Sequence, residues 1–339
     1  MSATNPALNS LAATASHLLS QSVAPSTKGK YTSRVNIYVH FCTSFNLQQF
    51  PVIQNNLILF ATHLSSSTSH KTIKGYLSAI KYVADIQGCT FTFDSYTQLY
   101  RLLRGIKRAQ GNSFKKPPRQ PIFPSLLQAL GTKLWLSSIR YEDKVMLWAA
   151  MLTAFFGFLR VSEYTSNLVK SFDPDTTLCF RDVTLDAPSN TITIKIKASK
   201  TDPFHKGVSI TLCRNYSTLC PVEALSSFLH SHPTRAGPLF TWHDGRFLTR
   251  KHVNSILNRI KPEGMTDMSS HSFRIGAAST AAAAGFPRWL IQALGRWSSN
   301  CYKDYIRIPN NTLSNVSFSL ASTFTSGPTY DPDNFAPAL

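Results

Sequence analysis

Acidic side chains are scarce in this 339-residue chain, where 17 Asp and Glu stand against 35 Lys and Arg for a formal net charge of +18. That excess is far beyond what solubility requires, and its simplest partner is a polyanion. Six cysteines (Cys42, Cys89, Cys179, Cys213, Cys220, Cys301) include no C-x-x-C pair, so neither a zinc site nor a disulfide framework is indicated and a reducing compartment is expected. No apolar run reaches the roughly 20 residues of a membrane helix. The nearest, Met146 to Leu159, reads as a buried helix. No basic segment followed by an apolar core stands at the N-terminus, so no leader is expected.

The charge is unevenly spread: residues 1–120 hold thirteen Lys and Arg against only Asp85 and Asp94, a net of +11, which leaves +7 for the remainder. This points to a basic clamp joined to a chemistry domain. Residues 1–24, rich in Ser, Ala and Asn, are expected to form a loose tail with some helical tendency. From Ser26, Tyr31, Val35, Tyr38, Phe41, Cys42 and Phe45 fall at helical spacing, with Lys28, Lys30 and Arg34 around the first turns. Asn55 to Leu64 reads as a second helix.

The helix expected over His70 to Gln87 places Ile73, Tyr76, Leu77, Ile80, Val83 and Ala84 on one arc and Lys71, Lys74, Ser78 and Lys81 on the other. Asp94 to Gln110 repeats the arrangement, with Leu99, Leu102, Leu103 and Ile106 inward and Arg101, Arg104 and Arg108 outward. One basic face is ordinarily just solvated, but two without interleaved acids point to phosphate contacts, because ordinary surfaces mix both signs. Gly111 to Pro124 (GNSFKKPPRQPIFP) has the composition of an exposed linker. The expected organisation is thus a tail over 1–24, a helical domain over 25–111, a basic linker over 112–124 with Lys115, Lys116 and Arg119, a second domain over 125–314 and a C-terminal tail over 315–339.

In the second domain, Ser125 to Leu136 and Glu142 to Leu159 read as helices. The latter runs into Leu-Arg-Val-Ser-Glu, where Ser162 can cap the next helix. Taken alone, Arg160 is a helix-end cation or a partner for Glu163. Asn190 to Lys197 alternates strictly, with Ile192, Ile194 and Ile196 inward; Val208, Ile210 and Leu212 continue the alternation, and a strand near Leu178 to Val183 would complete a small antiparallel sheet. Pro221 to His230 and Thr249 to Ile260 are expected helices. His230, His232, His243 and His252 lack metal-ligand spacing and are taken as surface or polyanion-facing groups.

The most informative stretch is Ser269 to Arg307. Ser269 or Ser270 can cap a helix running to Ala284, with Gly285 supplying a left-handed C-terminal turn. His271 and Arg274 then share one face of the first turn, where free N–H groups make a phosphate cradle. Pro287 opens a second helix through Leu294, Gly295 closes it and Trp297 follows. Tyr305, within Tyr-Ile-Arg, comes eight residues after Trp297; Tyr302, three residues earlier, is a rival on much the same face or a core residue.

The order His-x-x-Arg, Gly-x-Trp, Tyr-Ile-Arg, preceded by Leu-Arg-Val-Ser-Glu, resembles the active-site blocks of the tyrosine recombinases, the family of phage integrases, chromosome-dimer resolvases and eukaryotic mobile-element recombinases. The Ser-Lys-Thr-Asp turn and Gly-Arg-Trp-Ser-Ser are most similar to the Crypton and DIRS-like types. The resemblance implies a mainly α fold with a small antiparallel β-sheet: a helical core-binding domain and a mixed α/β catalytic domain that close around duplex DNA. It implies Arg160, Lys200, His271, Arg274, Trp297 and Tyr305 as catalytic residues, with Glu163 in support. Tyr305 would attack a phosphodiester to give a 3′-phosphotyrosyl link; Arg160 and Arg274 would hold the phosphate by forked donors; His271 would donate a hydrogen bond or assist proton removal. Lys200, in the hairpin turn, would be the general acid, with Lys206 as fallback. Trp297 stands in place of a second histidine and can donate a hydrogen bond but carry no proton.

No metal, cofactor or small-molecule substrate is implied. Four subunits on two double-stranded DNA sites would exchange strands through a Holliday junction to integrate or excise a mobile element, in the nucleus if the host is eukaryotic. A C-terminal segment would pack into a neighbouring subunit. The competing expectations are a type IB topoisomerase-like enzyme, a catalytically inactive domesticated DNA-binding protein, and a basic helical RNA-binding protein.

Overall fold

In the computed structural model, the described residues are 6–89, 91–92, 95–114, 117–200, 202, 204–232, 236–265 and 268–307. The chain divides into two compact units, Met1–Pro117 and Pro118–Leu339.

The first unit is helical: α1 (Pro6–Ser20), α2 (Pro25–Ser44), α3 (Gln54–Ser65), α4 (His70–Ile86) and α5 (Thr97–Gln110). The segment expected as a loose tail therefore holds α1, whose side chains from Ala7 to Leu19 are all exposed. Its Ala and Leu content favours helix without packing. Pro25 opens α2 at a position where a missing N–H costs nothing. Tyr38 and Phe41 of α2 meet Phe60 of α3, each with ring centroids 5.2 Å apart, at the centre of a core closed by Ile73, Leu77 and Ile80 of α4 and Leu99 of α5. The Gln110 side chain clasps the far end, donating to the carbonyls of Ser65 (3.0 Å) and Thr68 (2.8 Å) and accepting from the His70 N–H (2.8 Å).

The second unit runs α6 (Pro124–Leu136), α7 (Tyr141–Phe156), the single turn α8 (Val161–Tyr164), β1 (Val183–Asp186), β2 (Thr191–Ile196), β3 (Val208–Cys213), α9 (Pro221–Ser231), α10 (Arg250–Ile260), α11 (His271–Ala283) and α12 (Arg288–Leu294), ending in a 3-10 helix, Asn300–Tyr305. From Val145 to Phe155 only Trp148 of α7 is not buried, as expected of a helix that is apolar on every side. α11 is the other buried helix, with every residue from Ser272 to Ser279 inside. The antiparallel sheet has the order β1-β2-β3, with Ile194 opposite Val183 on one side and Ile210 on the other.

Two strand expectations need correction. The first strand begins at Val183, not near Leu178, because Asp182 accepts the Cys179 N–H at 2.7 Å and closes a 3-10 turn over Phe180–Asp182. In β3, Leu212 is buried and Ile210 half-buried, but Val208 is exposed, since this edge strand covers the core only at its Leu212 end.

Candidate active site

The site is built around a tight corner between α7 and α8. Gly157 is required there: a Cβ would stand 2.8 Å from both the Ile210 Cδ1 and the Thr153 carbonyl. Phe158 follows with φ +50°, a left-handed conformation uncommon for a residue with a side chain. This corner turns the Gly157 and Phe158 carbonyls toward two arginines from much later in the chain, Arg274 and Arg296.

Arg160 precedes α8 and Glu163 lies within it. The Glu163 carboxylate accepts the Arg160 backbone N–H and its guanidinium, both at 2.9 Å. The same carboxylate accepts Arg296 at 2.8 Å, and Arg296 donates further to the carbonyls of Gly157 (3.0 Å), Phe158 (3.1 Å) and Leu294 (3.1 Å). Arg274, on the first turn of α11, is the largest fully buried side chain, and its terminal nitrogens donate to the carbonyls of Phe158 and Gly295. Two guanidiniums therefore share one carboxylate, with the Arg274 guanidinium within its electrostatic reach.

Aromatic rings close the cluster. The Arg274 guanidinium lies 4.3 Å from the Trp297 ring centroid and 5.7 Å from that of Tyr305, within the range of cation–π attraction. Tyr305 meets Trp297 at 4.9 Å and His271 at 5.1 Å between centroids. Burial, and then the positive field of Arg119, Arg274, Arg160 and Arg250, pushes the His271 imidazole down to about 4, so it is neutral at pH 7. Burial and Arg160 also lower the Arg274 guanidinium from its ordinary value. Three buried donors in this region, Nε of Arg274, Nε of Arg296 and the Trp297 indole N–H, have no hydrogen-bond partner among the described residues. Unsatisfied buried donors are costly.

The structure thus brings together Arg160, Glu163, His271, Arg274, Trp297 and Tyr305. Tyr302, by contrast, is 3% exposed and packed in the core, while Tyr305 is only half-buried. Three details differ from expectation. The forked donors of Arg274 point at backbone carbonyls, and the Trp297 N–H is buried, because the indole lies flat over Gly295, where a Cβ would collide with the ring. Ser270 does not cap α11 with its side chain; instead its N–H donates to Asn254 Oδ1 at 2.8 Å, and Ser269 N–H to Ser272 Oγ at 3.1 Å. Lys200 is exposed in the β2–β3 connection, and no contact among the described residues joins it to the cluster. Lys206 is exposed on the same loop, and Lys197 is held by Asp182 at 2.6 Å.

Arg296 was not singled out from the sequence. Its signal was weak: an arginine beside Trp297, at a position now seen to have φ +54°.

In the first unit, Lys28, Lys30, Lys71, Lys74, Arg101, Arg104 and Arg108 are exposed. Two expected phosphate-facing residues are instead engaged internally. Lys81 is bonded to Asp85 and to the Phe91 carbonyl (3.0 and 2.9 Å), and Arg34 donates to the Gly75 carbonyl at 3.0 Å while lying over Tyr76. Lys115 and Lys116 lie outside the described residues, as does the tail beyond Arg307; Arg119 is exposed. Of the four histidines expected at the surface, His230 and His243 are exposed and His232 and His252 are half-buried. His243 pairs with the buried Asp143 at 2.7 Å, His252 accepts the Trp242 indole N–H at 3.1 Å, and His232 packs 4.4 Å from the Phe228 ring. His230 bonds the Ser226 carbonyl of its own helix.

No family model matches the sequence, and no curated protein matches it. Solved structures do. A fragment of the Tn1549 transposon integrase in complex with transposon right end DNA matches with a TM-score of 0.58 at 14% identity, covering 88% of this chain and 95% of that one. XerH site-specific recombinase bound to a palindromic difH substrate gives 0.55 at 17% identity over 85% and 76% of the two chains. A lambda integrase dimer bound to a COC′ core site gives 0.50 at 12% identity over 88% and 77%. The chain, mainly helical with one three-stranded antiparallel sheet and with the Arg, His, Arg and Tyr side chains of its motifs gathered on one side of α11, has the tyrosine recombinase fold.

Proposed function

We propose that this chain is a site-specific DNA recombinase that cuts and rejoins double-stranded DNA through a 3′-phosphotyrosyl intermediate. The observation that carries the reading is the contact of the Tyr305 ring with His271, Trp297 and Arg274, in a cluster where Arg160 and Arg296 also bond the one carboxylate of Glu163. With His271 neutral, that cluster has a net charge of +2, suited to a phosphodiester and to the further negative charge that develops on its non-bridging oxygens during attack.

In this mechanism the Tyr305 hydroxyl attacks phosphorus, forming the tyrosyl O–P bond as the P–O5′ bond breaks. A free tyrosine holds its proton up to a pKa near 10, so a base is needed, and neutral His271 is the adjacent acceptor. Arg160 offers its remaining N–H donors to the phosphate, and Arg274 supplies charge from beneath. Lys200 protonates the leaving 5′ oxygen. The freed 5′ hydroxyl then attacks the phosphotyrosine of a partner strand, which gives strand exchange through a Holliday junction by four subunits on two sites. The exposed Lys and Arg of the first unit supply sequence-independent phosphate contacts. Integration or excision of a mobile element, of a Crypton or DIRS-like type acting in a eukaryotic nucleus, is the biological setting that the motifs favour.

Covalent capture tests the reading. The protein is incubated with a fragmented DNA library, denatured, and its linked DNA sequenced beside a Tyr305→Phe control. Linked DNA that disappears in the control is expected. Tight binding with no adduct, even on nicked substrates built from the bound sequence, would leave a binding protein; relaxation of supercoiled DNA by the monomer would mark a topoisomerase.

A further inference from the structure

Ser279 sits on α11 about one and a half turns beyond Arg274, and its hydroxyl bonds outside its own helix. A helical serine commonly bonds the carbonyl four residues back. The Ser279 Oγ instead donates to the Tyr305 carbonyl at 3.1 Å and accepts the Arg307 backbone N–H at 2.8 Å. The side chain is 1% exposed, so water does not compete for either bond. Its two partners straddle Ile306, where the 3-10 helix ends and the chain becomes extended.

We propose that Ser279 is a positioning residue for the Tyr305 nucleophile, an inference that rests on the recombinase reading above. The segment carrying Tyr305 is a 3-10 helix of six residues, too short to hold itself rigid. Tyr302 anchors it in the core from within, 6.4 Å from Trp297 between centroids. Past Tyr305, Ile306 packs against the core, and the Ser279 hydroxyl holds the backbone on either side of it. One rigid helix carries the base, a buried cation beneath the tyrosine ring and the clip that sets the height and direction of the attacking tyrosine. Near-attack geometry is sensitive to small displacements, about 1 Å being worth up to ~100-fold in rate.

The test uses the full chain and a nicked duplex of the captured target sequence, with adduct formation followed in single turnover at saturating DNA, beside the DNA dissociation constant and the melting temperature. Ser279→Ala is expected to slow adduct formation by at least about tenfold while the dissociation constant stays that of the parent. Ser279→Thr, which keeps the hydroxyl, recovers most of the rate; Ser279→Cys, which keeps the volume with weaker hydrogen bonding, behaves like Ala. Parental rates in folded Ser279→Ala or Ser279→Cys would overturn the inference, as would a loss of DNA affinity that accounts for the whole effect. If the added methyl of Thr prevents folding, the Cys variant decides alone. Absence of adduct from the parent protein would overturn the recombinase reading itself, a result distinct from equal rates in parent and variant.

Discussion

Arg296 and Glu163 meet at 2.8 Å, each almost wholly withdrawn from solvent, and through that contact Arg296 shares the carboxylate that also holds Arg160. Without Arg296, Glu163 would serve Arg160 alone and the net positive charge beside Tyr305 would halve. The arginine also holds three carbonyls at the α7–α8 corner and the end of α12, so it joins two loops that no backbone hydrogen bond connects directly.

Arg296→Ala is therefore expected to destabilise the fold by ~3 kcal/mol, the usual scale for removing one partner of a buried ion pair, and to weaken DNA binding. Urea unfolding and a binding titration check the two effects. Arg296→Lys should recover part of the charge but little of the stability, since an ammonium cannot reach a carboxylate and three carbonyls in a planar fork.

His271 makes stability depend on pH. Its folded pKa, about 4, lies below the ordinary 6.5 because of burial and the surrounding arginines. Between those values the unfolded chain binds more protons than the folded one, so His271 destabilises the fold progressively as pH falls from about 6.5 to 4. Urea midpoints at pH 7.5 and pH 5 should differ more for the parent than for His271→Gln, which cannot take up the proton. Equal differences would remove His271 from this role.

How much of this was legible follows from the range of each signal. His271 and Arg274 are three apart on one helix, so local spacing put them on one face, and the family resemblance of the ordered motifs singled out Tyr305. The α4 wheel likewise separated Ile73, Leu77 and Ile80 from the lysines. It could not tell that Lys81 bonds Phe91, a partner beyond the helix, although Asp85 four residues on was a visible ion-pair candidate. Arg296 was illegible because its partners are the carbonyls of a corner 138 and 139 residues earlier, created by a left-handed Phe158 that no residue type announces. The pairing of the buried Asp143 with His243 escaped for the same reason, being joined across 100 residues.

Lys200, exposed in the β2–β3 connection, is the weakest link between sequence and geometry. If it protonates the leaving oxygen, Lys200→Ala should slow cleavage of an ordinary nicked duplex by at least about 100-fold. A duplex whose scissile 5′ oxygen is replaced by sulfur needs no such acid, because a thiolate leaves unprotonated, and should be cut at nearly the parental rate. Rescue by sulfur in Lys206→Ala, but not in Lys200→Ala, would move the role to Lys206.

The central claim is that Tyr305 becomes bonded to DNA, and the sequence offers a direct way to read it. Trypsin cuts after Arg296, Lys303 and Arg307, so Tyr302 and Tyr305 fall on separate peptides, residues 297–303 and 304–307. Mass spectrometry of the denatured, nuclease-trimmed adduct on a nicked duplex should find the nucleotide mass on Asp-Tyr-Ile-Arg, with the 297–303 peptide unmodified. The added mass on the 297–303 peptide, or on neither, would contradict the account.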